Sequence, residues 1–249
     1  MTPAPILLAH RGDHRAAPEN SLKAFAAAVA AGCDGVELDV RASADGEAIV
    51  LHDETLDRVQ GIRARARDLS AAALAAHGVP RLADVLAALP AGFLVDVELK
   101  EGPVTAAVVR AVRDARGRSA SDVVISSFDP EILAAVGDVE PGWERWLIST
   151  TAGDLREAAR LGCRGLALEW HAFGQDTVAE VRSSGLRAVA WTLRDRASLQ
   201  HVVGLGVDGV CAEGAALAAT FADRSARDSG SRGSAAAERL GRNEPSQAS

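Results

Sequence analysis

The stretch that decides the fold is Glu37-Leu38-Asp39-Val40, followed by a turn signal at Ala44-Asp45-Gly46-Glu47 and by an imidazole at Leu51-His52-Asp53. Side chains two apart on a strand share a face, so Glu37 and Asp39 project together. An Asp-Gly pair between strand-like runs predicts a tight hairpin. With Asp45-Gly46 as a two-residue loop, Ala44 faces Glu47 and Asp39 falls opposite His52. Two carboxylates and a titrating base would then share one patch.

Outward from this stretch, short apolar runs alternate with alanine- and valine-rich segments of helical pattern. Strands are predicted at 6–9, 36–40, 92–98, 122–126, 143–148, 166–169, 186–192 and 209–211, with 49–51 as a further candidate. A helix is predicted from Pro18-Glu19-Asn20-Ser21 through Ala31, with Ser21 or Asn20 as its cap, and others over 104–116, 130–136, 153–161, 177–184, 197–205 and 215–221. Only 49–51 has no helix before it. It reads as the returning arm of a hairpin that projects from the second strand, while the other eight close a TIM (β/α)8 barrel of the α/β class. The spacing G-x-x-G recurs at Gly32 to Gly35, Gly162 to Gly165 and Gly206 to Gly209, each time after a helical run and before an apolar one, as repeated αβ turns require. Between 55 and 91 the pattern is weaker. Arg63-Ala64-Arg65-Ala66-Arg67 reads as a solvated loop, Asp68-Leu69-Ser70 opens a short helix, and another spans 81–89.

A chain of 249 residues suits one such barrel, assigned to 1–221. The remainder, 222–249, is rich in Ser, Arg, Gly and Ala and reads as a disordered tail. A net charge of −7 argues against a general polyanion partner such as nucleic acid, while leaving room for a local phosphate site. Cys33, Cys163 and Cys211 form no C-x-x-C and suit a reduced compartment as small buried apolar residues. No apolar run reaches membrane-spanning length, so a cytoplasmic protein without stable membrane association is expected.

In a β/α barrel the strand C-termini share one face, and chemistry is built there. His10 ends the first predicted strand, Glu37 and Asp39 the second, and Glu98 with Lys100 the third. Three carboxylates and no sulfur favour a hard divalent cation, Mg²⁺ or Ca²⁺, with Mn²⁺ also compatible. The plainer reading pairs Glu98 with Lys100 and the other two acids with arginines. Converging acids in a barrel mouth repel one another without a cation, which favours the metal. His10 and His52 flank the cluster and suit an acid/base pair on a reacting phosphorus, with Arg11 and Lys100 complementing a phosphate oxygen. Trp191 reads as a wall against which substrate packs. His14, His77 and His201 read as solvated, and His171 receives no role.

These residues together resemble the glycerophosphodiester phosphodiesterase family. The resemblance rests on His10-Arg11-Gly12, Pro18-Glu19-Asn20-Ser21, Glu37-x-Asp39-Val40, Asp45-Gly46 with Val50-x-His52-Asp53, Leu56-Asp57-Arg58, Glu98-Leu99-Lys100, Ser126-Ser127-Phe128, Ala190-Trp191-Thr192 and Gly206-Val207-Asp208-Gly209, in family order. It implies metal-dependent hydrolysis of glycerophosphodiesters to sn-glycerol 3-phosphate and an alcohol. His10 and His52 would be the acid/base pair, Glu37, Asp39 and Glu98 the metal ligands, and Arg11 and Lys100 the phosphate contacts. The family is similar in layout to phosphatidylinositol-specific phospholipases C, so attack by the glycerol 2-hydroxyl and attack by water both stay open. Ser21 stands for a usual Thr, Ala212-Glu213 for Thr-Asp, and Leu193-Arg194 for Val-Asn. These departures are expected to touch the pocket wall and to leave the metal and acid/base set intact. Two rival readings keep the fold: a phospholipase D- or C-like enzyme acting on lipids, and a barrel that binds a phosphodiester without cleaving it.

Overall fold

A computed structural model describes residues 4–220; the predicted tail lies outside the described residues. Nine strands form the sheet: β1 Ile6–His10, β2 Gly35–Ala42, β3 Ala48–Val50, β4 Leu94–Leu99, β5 Val123–Ser127, β6 Glu144–Ser149, β7 Gly165–Glu169, β8 Arg187–Leu193 and β9 Gly209–Ala212. Eight of them pair in parallel, and β1 bonds both β9 and β2, which closes the ring. The ninth, β3, lies outside it, antiparallel to β2. This is the TIM barrel with a hairpin extension that the helix-free 49–51 segment predicts.

Helices α1 Leu22–Ala30, α2 Asp57–Gln60, α3 Ala71–Ala76, α4 Leu82–Ala88, α5 Thr105–Arg116, α6 Pro130–Val139, α7 Leu155–Arg160, α8 Gln175–Ser183 and α9 Arg196–Leu205 connect the strands, and 214–220 is helical after β9. Ser21, not Asn20, caps α1, its Oγ accepting from the Ala24 amide at 3.2 Å. Gly32, Gly162 and Gly206 take φ of 79°, 66° and 82°, the left-handed turn that the repeated spacing predicts.

Strand alternation sorts the core into layers. Leu7, Ala9, Val36, Leu38, Val40, Val95 and Val97 face the helices, whereas Leu8, Val124, Trp146, Ala167, Val189 and Cys211 fill the barrel interior. A third apolar cluster of Ile49, Leu51, Leu56, Leu74 and Val79 joins the hairpin to the weakly patterned 55–91 segment. That segment is held by its own small core.

The hairpin register differs from the expectation by one residue. Val40 pairs with Val50 and Arg41 with Ile49, so Asp39 faces Leu51, whose amide donates to the Asp39 carbonyl at 2.9 Å. A two-residue type I′ loop needs φ > 0 at both central positions. Here only Gly46 is left-handed (φ 76°), and its amide closes a turn onto the Ser43 carbonyl at 3.0 Å. Ala44-Asp45-Gly46 is thus a three-residue loop, and β3 ends at Val50. His52 reaches the site from a bend beyond the strand, with its carbonyl accepting from Arg41 Nε at 2.8 Å.

Candidate active site

The parallel register sets His10 beside Glu37 and Asp39 beside Glu98 at the C-terminal ends of β1, β2 and β4. Glu37, Asp39 and Glu98 are buried, and a ligand oxygen from each lies within 4.8 Å of the others. The predicted metal-ligand residues therefore converge. So do the predicted histidines, because His10 and His52 line the same cavity of about 210 Å³. Its polar side carries the two histidines with Arg11, Glu37, Asp96, Glu98 and Lys100, and its apolar side carries Phe128, Ile148, Ala167, Val189 and Trp191. Trp191 is the predicted wall: Nε1 donates to the Ala167 carbonyl at 2.9 Å, and the ring meets Phe128 edge-on at 5.5 Å.

Each histidine is held at Nδ1 by a carboxylate. His52 Nδ1 lies 2.6 Å from Asp53 Oδ1, and His10 Nδ1 lies 2.5 Å from Glu213 Oε2. Hydrogen bonding at Nδ1 leaves Nε2 of both rings for proton exchange. Glu213 is in turn tied to Arg194, whose Nε donates to Oε1 at 2.7 Å, and His14 Nε2 stands 3.4 Å from Oε2. Two expectations are corrected here. The Glu213 and Arg194 departures reach His10, one of the two histidines expected as the acid/base pair, and not the pocket wall alone, and His14 is a half-buried neighbour of Glu213 instead of a solvated loop residue.

Asn20 also plays a part that the capping pattern concealed. It is buried in the left-handed region (φ 56°), and its Nδ2 donates to Asp39 Oδ2 at 2.8 Å. Sequence reasoning missed Asp53, Asp96 and Glu213. Asp96 was within reach of strand parity, since it precedes Glu98 by two and shares its face. Glu213 follows the last strand, where side chains join the same barrel face.

The plainer pairings exist as well. Lys100 Nζ lies 2.5 Å from Glu98 Oε1 and 2.8 Å from Asp39 Oδ1, and Arg11 Nε lies 3.2 Å from Asp39 Oδ2. Burial alone pushes the Asp39 carboxyl up, but Lys100 and Arg11 outweigh it and hold the group at about 2. Burial raises Glu98 to about 7 against the pull of Lys100, and burial followed by repulsion from Asp39 and Glu98 pushes Glu37 well above the carboxylate range. Burial likewise lifts Asp96 to about 7. For His10, burial lowers the pKa and the Glu213 hydrogen bond opposes it.

These pairings leave Glu37 the least compensated of the three, with His10 Nε2 standing 3.9 Å from its Oε2. Its Oε2 accepts from the Arg11 amide at 3.1 Å, while Oε1 is buried with no hydrogen-bond partner among the described residues. A buried orphan carboxylate oxygen is costly unless a cation completes it. The all-oxygen donor set fits a hard divalent ion.

The sequence model of the glycerophosphoryl diester phosphodiesterase family matches residues 10–214. Among curated proteins, the chain is 28% identical over 228 residues to the glycerophosphodiester phosphodiesterase of Caldanaerobacter subterraneus subsp. tengcongensis, covering 82% of this chain and 92% of that one. Among solved structures it is similar to the glycerophosphodiester phosphodiesterase of Thermotoga maritima, at a TM-score of 0.74 and 26% identity over 85% of this chain and 96% of that one. It shares its fold with an Oleispira antarctica phosphodiesterase solved in complex with the product sn-glycerol 3-phosphate, at a TM-score of 0.77 and 23% identity over 84% and 93% of the two chains. Taken with the converging carboxylates and the two oriented imidazoles, the match over most of the barrel means that the chain belongs to the glycerophosphoryl diester phosphodiesterase family.

Proposed function

We propose that the family's reaction, hydrolysis of glycerophosphodiesters to sn-glycerol 3-phosphate and an alcohol, is carried out here by His10 and His52 as the acid/base pair. The observation that carries this reading is that both rings line one cavity with Nδ1 anchored on a carboxylate and Nε2 left for the substrate. One imidazole takes the proton of the attacking hydroxyl, and the other delivers a proton to the departing alcohol oxygen. Arg11 and Lys100 supply positive charge beside the phosphate, and the aromatic wall of Trp191 screens the reacting centre from water.

Glu37, Asp39 and Glu98 would hold a divalent cation, Mg²⁺, Ca²⁺ or Mn²⁺. The chemistry supplied by such an ion is stabilisation of the charge that builds on the phosphoryl oxygens. The three carboxylates would fix its place, while Asn20 and Lys100, bonded to Asp39 and Glu98, would orient them. The partner implied is a small glycerophosphodiester. A cytoplasmic location fits three buried cysteines that form no disulfide. Among the described residues no helix is long and apolar enough to cross a membrane. The exposed large apolar side chains, Leu22, Phe128, Val139 and Val203, are spread over different elements, which does not favour the lipid-acting alternative.

The test is release of glycerol 3-phosphate from glycerophosphocholine and glycerophosphoethanolamine, with and without EDTA. His10→Ala and His52→Ala should each lower turnover by roughly 10²–10⁴-fold. Full turnover by either folded variant, or by the wild type after metal removal, overturns the reading.

A further inference from the structure

Asp96 is a charged group in the cavity to which the reaction described above gives no work. It is buried on β4 and lines the same space as the two histidines, yet it stands outside the three-carboxylate cluster. Its Oδ1 accepts from Ser126 Oγ at 2.6 Å, and its Oδ2 takes no hydrogen bond among the described residues. It also has no ion pair there, and the charges that act on it most strongly are those of Glu98, Asp39 and Glu144, all of its own sign, with Glu37 beside it in the strand register. A buried carboxyl with like-charged neighbours is no stability device. Its presence calls for a donor that arrives with a ligand.

The surroundings indicate which donor. Two residues before Glu98, Asp96 lies roughly 6–7 Å further into the barrel along its strand. The apolar residues of the cavity wall, Ile148, Ala167, Val189 and Cys211, are buried like Asp96 itself. Phe128, nearly half exposed at 48%, and Arg194 mark the open side instead. A short polyol esterified to phosphate fits the inner end, with C–H surface against the apolar wall and a hydroxyl for one acceptor. A head group of variable size fits the outer end.

We propose that Asp96 reads the glycerol half of the substrate, its Oδ2 hydrogen-bonding a glycerol hydroxyl, so that glycerol enters the barrel and the leaving alcohol stays at the mouth. The inference rests on the reading of His10 and His52 as the centre that grips the phosphate.

The test compares glycerophosphocholine with methyl p-nitrophenyl phosphate, a phosphodiester that carries no glycerol. Asp96→Ala should lower the ratio of kcat/KM for the first over the second by about 10–100-fold, chiefly through KM, whereas Asp96→Asn, which keeps a hydrogen-bonding group, should stay within a few-fold of wild type. The wild type should also disfavour an analogue whose glycerol lacks a hydroxyl, and Asp96→Ala should erase that difference. Equal loss on both diesters overturns the assignment, as does a fall in Mn²⁺ affinity measured by calorimetry, which would make Asp96 a metal ligand. If Asp96→Ala does not fold, a wild type indifferent to the missing hydroxyl overturns it, and a loss common to both diesters in Asp96→Asn does the same. Wild-type protein that cleaves neither diester refutes the phosphodiesterase reading itself.

Discussion

His10 and Glu213, 203 positions apart in the chain, are joined by a contact of 2.5 Å between Nδ1 and Oε2. Closure of the ring makes this possible, since β1 and β9 pair side by side and deliver their C-terminal ends to one rim. The carboxylate holds the imidazole with Nε2 presented to the cavity, and Arg194 holds the carboxylate.

Replacing Glu213 therefore acts through His10. Glu213→Ala is expected to reduce turnover by about 10²–10⁴-fold, as loss of a carboxylate behind a catalytic histidine does. Glu213→Asp should recover part of it and Glu213→Gln less, because Gln cannot stabilise the imidazolium. Steady-state kinetics beside a thermal melt separate this from unfolding. A Glu213→Ala enzyme with wild-type kcat would remove Glu213 from the mechanism.

Asn20 supports Asp39 in a comparable way. Without its Nδ2 bond of 2.8 Å, the Asp39 carboxylate keeps Lys100 and Arg11 as its contacts among the described residues. Residues behind a ligating group typically contribute 10–100-fold to metal affinity. Calorimetric titration of Asn20→Ala with Mn²⁺ should show a loss of about that size, and Asn20→Asp, which also loses the bond to Asp39 but adds a negative charge that a cation offsets, should lose less. Unchanged affinity in both variants would contradict the role.

What could be read in advance follows from the range of each interaction. Glu37, Asp39 and Glu98 were legible because strand parity is a local rule and acids on adjacent strand ends have few other reasons to converge. Asn20 was not, because its position before an alanine-rich run fits a helix cap equally well, and only the folded barrel shows its amide beside Asp39. Glu213 was visible as a departure from the family pattern, but its contact with His10 exists only after the first and last strands meet. The hairpin register slipped because Asp-Gly is compatible with loops of two or three residues, and the backbone angle at Gly46 decides between them.

That register has a measurable consequence. Ala48 and Val50 pack into the main core while Ile49 packs into the satellite core, so both faces of β3 are buried. Inserting one residue between Ala44 and Asp45 exchanges those faces, and should cost stability as well as activity. Gly46→Ala, with open space around the added methyl but a φ of 76°, should cost only about 1 kcal/mol and leave turnover intact. Thermal melts of the two variants distinguish the cases. An insertion variant as stable as wild type would show that β3 is a passive arm.

The orphan Oε1 of Glu37 permits a test of the metal site that needs no substrate. An ion that binds only the folded chain stabilises it by about 2.7 kcal/mol at a hundred times its Kd. For a domain of this size that is a rise in Tm of roughly 5–10 °C. Glu37→Gln keeps the shape and removes the charge, so most of the rise should disappear. Lys100→Met has the opposite sign. Lys100 Nζ now partly neutralises Glu98 and Asp39, so without it the ion-free protein suffers more repulsion and has more to gain from a cation. Its rise on adding Mg²⁺ or Mn²⁺ should exceed that of wild type. If wild-type Tm is indifferent to every divalent ion tried, Lys100 is itself the cation of the site, and the carboxylates serve the phosphate's arginine and lysine instead of a metal.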